Sequence, residues 1–550
     1  MVSCIIIDHS LSFLFTLIII RVKVMKQMLI VILLFVYFSP PSLAKQDNER
    51  SCFVIGNPEF NQAKHKPGSH KNPYNSLAEV QADDSCKVIH VLYSDTALDG
   101  GIWLRDGQKL LGKEGKHGEL PIITNTTEPA LIPGYPYFVE GGEYDYWVHQ
   151  SLSGPVGIGI ILAKDNEIKN IHIEKTQSTS IIGTPHFQPF GGEIKLNNVL
   201  ITEANQFGLF AIWDPVSTPS SSVLLASGED IDITIQNSDI GQSNVPSIII
   251  FTNDSSHGEV TIKNTLVHDQ AQLSPYYETS AGISIIATGS SSINASIKNV
   301  KVDNIGSNSI SNSDGLILLN SGNGYMTAEV DGYHYTNPDE GGHSGTSCGI
   351  ELGYWDPMGG GTFSAVVKSS IIEGAYRAGI QVLDGNSNGL NTGSNTLDVT
   401  LIDNEISGVV GYGIEAFAVD TPNSSLSLTM QNNTISDIGY IGIDIGARGD
   451  LDSFEVLLEN NTVENAVTSL RFLNYGSIIN NLQLDAGLGG LGSAGMNRFV
   501  NSTKYDAFIY GMPVSAKNNW GGSDAGPTSI FEGGFGFIDV EPFLLADPNP

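Results

Sequence analysis

One short pattern returns along most of this chain and limits what it can fold into. An Asn, Asp or Ser, followed three residues later by an aliphatic side chain or His, recurs at Asp165, Asn198, Asn237, Asn264, Asn299, Asp331, Ser369, Asp403, Asn432 and Asn460. The mean step is about 33 residues, which marks a solenoid or a propeller array. Each unit has the same three parts. Strand A alternates polar and apolar residues ("LSLTMQ", "FEVLLE", "VTIK", "IDITIQ"). The polar position follows, then a short strand B ("TIS", "LV", "VKV"). A turn of variable length leads to strand C, which usually opens with Gly ("GISII", "GLILL", "GIELG", "GIQVL", "GIEAF", "GIDIG").

Elementary geometry chooses among the repeat architectures. Short alternating strands each bury one face. No unit holds a helical period long enough for a helical or leucine-rich repeat. A propeller blade needs four strands joined by tight hairpins, and the hairpin dipeptides are missing at the joins. Coils stacked in parallel satisfy the pattern, each strand pairing with its equivalent about 4.8 Å along the stack. The polar position then marks a corner. Asn readily takes the left-handed conformation that a sharp A–B corner requires, and stacked Asn side chains can hydrogen-bond up the column.

On these strings the chain resembles the right-handed parallel β-helix proteins, the superfamily that includes the pectate lyases. The resemblance covers roughly residues 85–545 and implies an all-β, right-handed parallel β-helix of three-strand coils. The stretch beginning "NPYNSLAEVQADDSCKVIHVLYSDTALDGG" is similar to the opening segment of secreted β-helix repeat proteins, with a short helix from Ser76 to Ala82 capping the open core. "NNWGGSDAGP", Asn518 to Pro527, is similar to the Asn-Asn-Trp-Gly closing segment of such proteins. A solenoid needs such caps, since an open end exposes apolar core and unpaired strand edges. The expected divisions are a leader over 1–44, an N-terminal cap over 45–84, the β-helix over 85–515 and a closing segment over 516–550.

The leader reads as a secretory signal. Arg21, Lys23 and Lys26 precede the apolar "MLIVILLFVYF", and "SPPSLA" ends in small residues at Ser42 and Ala44. That layout predicts cleavage after Ala44, and a secreted or cell-surface protein with no stable membrane span afterwards. Met25 is a more natural start than Met1, which would leave residues 1–24 untranslated. The formal net charge of −32 repels nucleic acid and suits divalent cations or a neutral partner. Cys52 and Cys86 are expected to form a disulfide in an oxidising compartment, leaving Cys348 as a buried thiol.

Fold does not fix function, and this superfamily hosts lyases, hydrolases and adhesins. The Asp cluster and basic residue expected of a pectate lyase are not evident. The polygalacturonase pattern fails too: "DE" at Asp339–Glu340 and His343 lie too close to occupy separate coils. What stands out is three consecutive long B–C turns, "HDQAQLSPYYETSAGI", "DNIGSNSISNSDGL" and "YTNPDEGGHSGTSCGI", which successive stacking must place side by side. They carry Tyr276, Tyr277, Asp314, Tyr335 and His343, with Arg377 just before the next Gly-Ile strand and Trp355 in a "WDP" turn. Asp314, His343 and Arg377 are the candidates for acid, base and charge stabilisation; Tyr276, Tyr277, Tyr335 and Trp355 are candidates to stack on sugar rings. The expected partner is a polysaccharide or glycan, and if the chain is an enzyme, it is a polysaccharide lyase or glycoside hydrolase. Against this stands a non-enzymatic surface or adhesive solenoid, for which "RGD" at Arg448–Asp450 is a candidate contact. An acidic column after strand B (Glu203, Asp269, Asp303, Glu373, Asp437, Glu464) would take calcium if it is more than a set of solvated turn-formers.

Overall fold

A computed structural model describes residues 50–57, 64–126, 157–204, 222–242, 247–270, 280–305, 313–337, 347–354, 360–385, 394–419 and 423–548, apart from 178, 186, 254, 528 and 535. The account below concerns the unit Ser51–Pro550. Its strands join one hydrogen-bonded network of 39, and the strand ladders among the described residues all run parallel. The protein is a parallel β-helix.

Strand A shows how the alternation builds the core. Ile194, Ile233, Val260, Ala295, Ala328, Ala365, Val399, Leu428, Val456 and Leu484 are register partners in sequence, one per coil. All are buried. The residues between them face solvent and are mostly Thr, Ser or Glu, so the period of two separates inside from outside on each coil. One core cluster runs from Cys52 to Ala516.

The corners are where the sequence pattern was strongest. Asn198, Asn237, Asn264, Asn299, Ser369, Asp403, Asn432 and Asn460 all have φ between 49° and 58°, the left-handed region. Their amides also link coils: Asn264 donates to Asn237 at 3.2 Å, and Asn460 to Asn432 at 2.7 Å. Two anchors move. In the first coil the corner is Asn170 (φ 55°), bonded to Asn198 at 2.9 Å. Asp165 lies before strand A and accepts the Glu193 N–H at 2.9 Å. In the sixth the corner is Gly332 (φ 65°), one residue after Asp331.

A second, buried ladder lies one residue beyond the corner in the C-terminal coils. Asn404 donates to Asn433 at 2.9 Å, Asn433 to Asn461 at 2.9 Å, Asn461 to Asn497 at 3.0 Å and Asn497 to Asn519 at 3.0 Å. The same amides also reach carbonyls of strand A, as Asn433 does with Leu401 at 2.9 Å. Each buried amide is thus satisfied on both sides, the condition under which a polar column inside a core is tolerated.

The N-terminal end is closed as the resemblance implied. Helix Leu77–Ala82 is capped by Ser76, whose Oγ accepts the Glu79 N–H at 3.2 Å, while Glu79 accepts the Asn75 N–H at 2.8 Å. Leu77 and Val80 enter the core cluster. Cys52 and Cys86 are joined in a disulfide with a Cα separation of 5.6 Å, tying strand Ser51–Ile55 to the segment after the helix. Among the described residues no helix is long and apolar enough to cross a membrane.

Candidate active site

The glycine that opens strand C is forced by crowding. A Cβ on Gly379 would meet Ile406 Cγ2 at 2.4 Å and the Gly413 carbonyl at 2.7 Å. With the backbone drawn in so closely, the second residue after each glycine points outward and stacks on its equivalents. The register runs Ile317, Glu351, Gln381, Glu415, Asp444, Arg471, Phe508, Phe531, one residue per coil. Five consecutive coils therefore carry polar or charged groups on the outer face of the C stack.

Hydrogen bonds link these groups in two sets, one around Glu415 and one around Asp444. Gln381 Nε2 donates to Glu415 Oε2 at 2.7 Å, and Arg377 Nε donates to the same oxygen at 3.0 Å. Arg471 grips Asp444 with two bonds, Nε to Oδ1 at 2.6 Å and Nη2 to Oδ2 at 2.5 Å. Its guanidinium also sits over the rings of Tyr412 (5.8 Å) and Tyr440 (5.6 Å), which meet edge-on at 5.7 Å. At the other end the Cys348 N–H donates to Asp314 Oδ1 at 2.5 Å, and Cys348 Sγ lies 3.6 Å from Gln381 Oε1. Asp314, Glu351, Gln381, Glu415 and Asp444 are all buried. These groups reach the surface through Arg377, whose side chain is 36% exposed, and through Tyr440.

Burial sets the protonation of the acids. It pushes the Glu351 carboxyl from 4.5 up to about 7, with Arg377 opposing and Glu415 adding to the rise. Asp314 is held well above the usual carboxylate range by burial and by the charge of Glu351, against the opposing bond from the Cys348 N–H. Asp444 rises to about 6 through burial, despite its bonds to Arg471. Burial likewise raises the Cys348 thiol, which is thereby kept from serving as a thiolate. This face therefore holds a carboxyl whose proton is retained up to about pH 7, Glu351, two coils from Glu415, which accepts from Arg377 and Gln381. That is the separation of acid and base that proton-transfer chemistry needs.

Of the residues expected from the sequence, the structure brings Asp314 and Arg377 into the set around Glu415. Asp314 does not lie in a turn, as expected, but in strand Ser313–Gly322, buried and paired with Ala281. Tyr335 is a correction. It lies in strand B, between Val302 and Ile372 in the inner column, and is fully buried. Its ring and that of Tyr333 occupy space left by Gly315, where a Cβ would meet the Tyr333 hydroxyl at 2.4 Å and the Tyr335 ring at 2.5 Å. No face of Tyr335 is open to a sugar. Tyr276, Tyr277, His343 and Trp355 lie outside the described residues, as do most of the three long turns.

Glu351, Gln381, Glu415, Asp444 and Arg471 were missed. The signal was present in the third position of "GIELG", "GIQVL", "GIEAF" and "GIDIG", which is polar in four successive units and Ser or Ile in "GISII" and "GLILL". Half of the acidic column after strand B lies at a second corner: Glu203, Asp269 and Asp437 have φ between 51° and 55°, whereas Asp303, Glu373 and Glu464 each precede the corner residue (Asn304, Gly374 and Asn465). Its carboxylates have protein partners. Asp269 accepts from Asn304 at 2.7 Å, Asp303 from Lys301 at 2.9 Å, and Asp437 from Asn465 at 2.9 Å. In the "RGD" corner Arg448 and Asp450 are exposed, and Asp450 accepts the Ile478 N–H of the next coil at 3.2 Å.

No protein-family model matches the chain, and no curated protein matches it. Among solved structures, the chain is similar to the A-module of the Azotobacter vinelandii mannuronan C-5 epimerase AlgE6, with TM-score 0.40 and 12% identity over 73% of this chain and 94% of that one. It is similar also to the A-module of AlgE4 from the same organism, with TM-score 0.35 and 10% identity over 86% of this chain and 95% of that one. The chemistry of the site is therefore read from its own residues.

Proposed function

We propose that this chain is a secreted protein that binds an extracellular polysaccharide along the outer face of the C stack and acts on it by acid–base chemistry. The observation that carries the reading is the unbroken polar run Glu351, Gln381, Glu415, Asp444, Arg471 on five consecutive coils. Folding alone gives no reason to place carboxyls there, since desolvating an ion costs several kcal/mol that a paired guanidinium at best offsets. In the proposed roles Glu351 is the acid and Glu415 the base, with Arg377 stabilising developing charge. Two coil steps put Glu351 and Glu415 on the order of 10 Å apart along the stack. Gln381 stands between the two in the register, and the separation is well beyond the roughly 5–5.5 Å at which a second carboxyl acts as a direct nucleophile.

The test is a glycan panel read for binding with and without calcium, followed by a reducing-end assay on every binder. Glu351→Gln and Glu415→Gln should each lower turnover by about 10²–10⁴-fold while binding persists. Turnover at the parental rate in both, with folding unchanged, would sink the acid–base reading. A glycan that binds and is never converted would leave the site as a recognition surface. Binding that maps to the exposed Arg448–Asp450 corner and survives both substitutions would favour the adhesive alternative.

A further inference from the structure

Taking this face as a glycan groove, we infer that its ligand is an uncharged polysaccharide and not a polyuronate or a sulfated chain. The first ground is charge. A polyanion needs cations free to meet it, and the guanidiniums on this face are already engaged. Arg377 is bound to Glu415, and Arg471 is held by two bonds to Asp444 and flanked by two tyrosine rings. Glu351 adds a further carboxyl with no guanidinium bonded to it, while Asp314 is held by burial well above the usual carboxylate range. A chain of repeating carboxylates would approach a neutral-to-negative strip on a protein of net charge −32, and like charges in a partly desolvated groove repel strongly.

The second ground is independent of charge. The same outward column continues from Arg471 into Phe508 and Phe531, which stack at 4.4 Å with an interplanar angle of 13°. Tyr505 leans on both, at 5.6 and 5.9 Å. Phe531 is 36% exposed. Lys504 lies over the Tyr505 ring at 5.1 Å and adds one cation at this end. An open aromatic pair in line with a hydrogen-bonding strip is a platform for the C–H faces of sugar rings, which bind aromatic faces without needing charge. Six coil steps of roughly 4.8 Å separate Glu351 from Phe531, about 29 Å, long enough for several sugar units. The polar end would do the chemistry and the aromatic end would hold the chain.

The full-length mature protein should be titrated calorimetrically with neutral hexasaccharides (cello-, laminari- and manno-series) and with hexagalacturonate and hexamannuronate, at low salt and at about 0.15 M. At least one neutral hexamer is expected to bind about tenfold or more tightly than either uronate, with little change on adding salt. Phe508→Ala with Phe531→Ala should weaken that binding by about tenfold or more. Tighter binding of a uronate, fading as salt is raised, overturns the inference and leaves the glycan groove standing. Binding of neither class, extended to the whole glycan panel, overturns the proposed function itself.

Discussion

Two stretches of one column differ in kind. From the N-terminal side the outward residue of strand C is Trp103, Ile161, Ile182, Leu224 and Ile249, and these partner one another coil by coil. Through Ser284 and Ile317 the same column passes into Glu351, Gln381, Glu415, Asp444 and Arg471. The backbone is the same on both sides of the boundary. Ile161, Ile182, Leu224 and Ile249 form an apolar cluster of their own, outside the main core. Glu351, Gln381, Glu415 and Asp444 in the polar stretch are buried too, so they bear a desolvation cost that the apolar stretch avoids. Because the coil accepts either chemistry, folding alone does not explain the polar choice. The proposed function rests on that difference.

The comparison breaks if the two stretches prove interchangeable. Leu224→Glu puts a carboxyl into the apolar stretch with no guanidinium to meet it. It is expected to cost on the order of 5 kcal/mol, lost apolar burial and an unpaired charge together. Denaturant unfolding would show this as a large fall in midpoint or as insoluble protein. A loss under about 1 kcal/mol would mean that the apolar face tolerates charge and that the contrast carries no meaning.

Within the polar stretch, Arg471→Ala leaves Asp444 buried and unpaired and should cost about 3–5 kcal/mol. Replacing both members, with Asp444→Leu and Arg471→Met, should restore most of that stability while weakening glycan binding. If the double variant is as unstable as the single one, the ion pair is structural and not retained for recognition.

The smallest effect sharpens the comparison through pH. The native state holds the Glu351 proton up to about 7, whereas the ordinary value is 4.5. A folded-state value above the unfolded one means that ionisation opposes folding. The penalty is absent below about pH 4.5, grows through the window and is complete above pH 7. Glu351→Gln removes it, so the variant should gain about 1–3 kcal/mol on the parent between pH 5 and pH 8. Thermal midpoints at the two pH values would show the gap widening; a constant gap would place Glu351 in water. Parental turnover should also fall as pH rises through 7 and the acid form is lost.

Much of the fold could be read in advance because each coil solves the same local problem. A corner needs a residue that accepts positive φ, and eight of the ten anchors lie at one in the A–B column (Asn198, Asn237, Asn264, Asn299, Ser369, Asp403, Asn432 and Asn460). Strand A needs alternation, and it alternates. The failures lie where a neighbouring coil decides. Asp165 does take a left-handed φ (56°), but at the corner before strand A; the A–B corner of that coil is Asn170, bonded to Asn198. Tyr335 reads as a surface aromatic in a polar turn, yet the room left by Gly315, 20 positions earlier, draws it inward. Asp314 was found through its place near a long turn, although it acts from a strand.

The period, the corners, the inner and outer faces and the need for caps are legible along the chain, because backbone sterics and the burial of alternate residues act within a few positions. The candidate site is not legible in that way. Glu351, Gln381, Glu415, Asp444 and Arg471 come from five coils separated by turns of unequal length, and hydrogen bonds between coils, not spacing along the chain, set which residue stacks on which. The protonation of Glu351 and Asp444 depends on burial and on guanidiniums from Arg377 and Arg471, quantities that exist only once the coils are stacked.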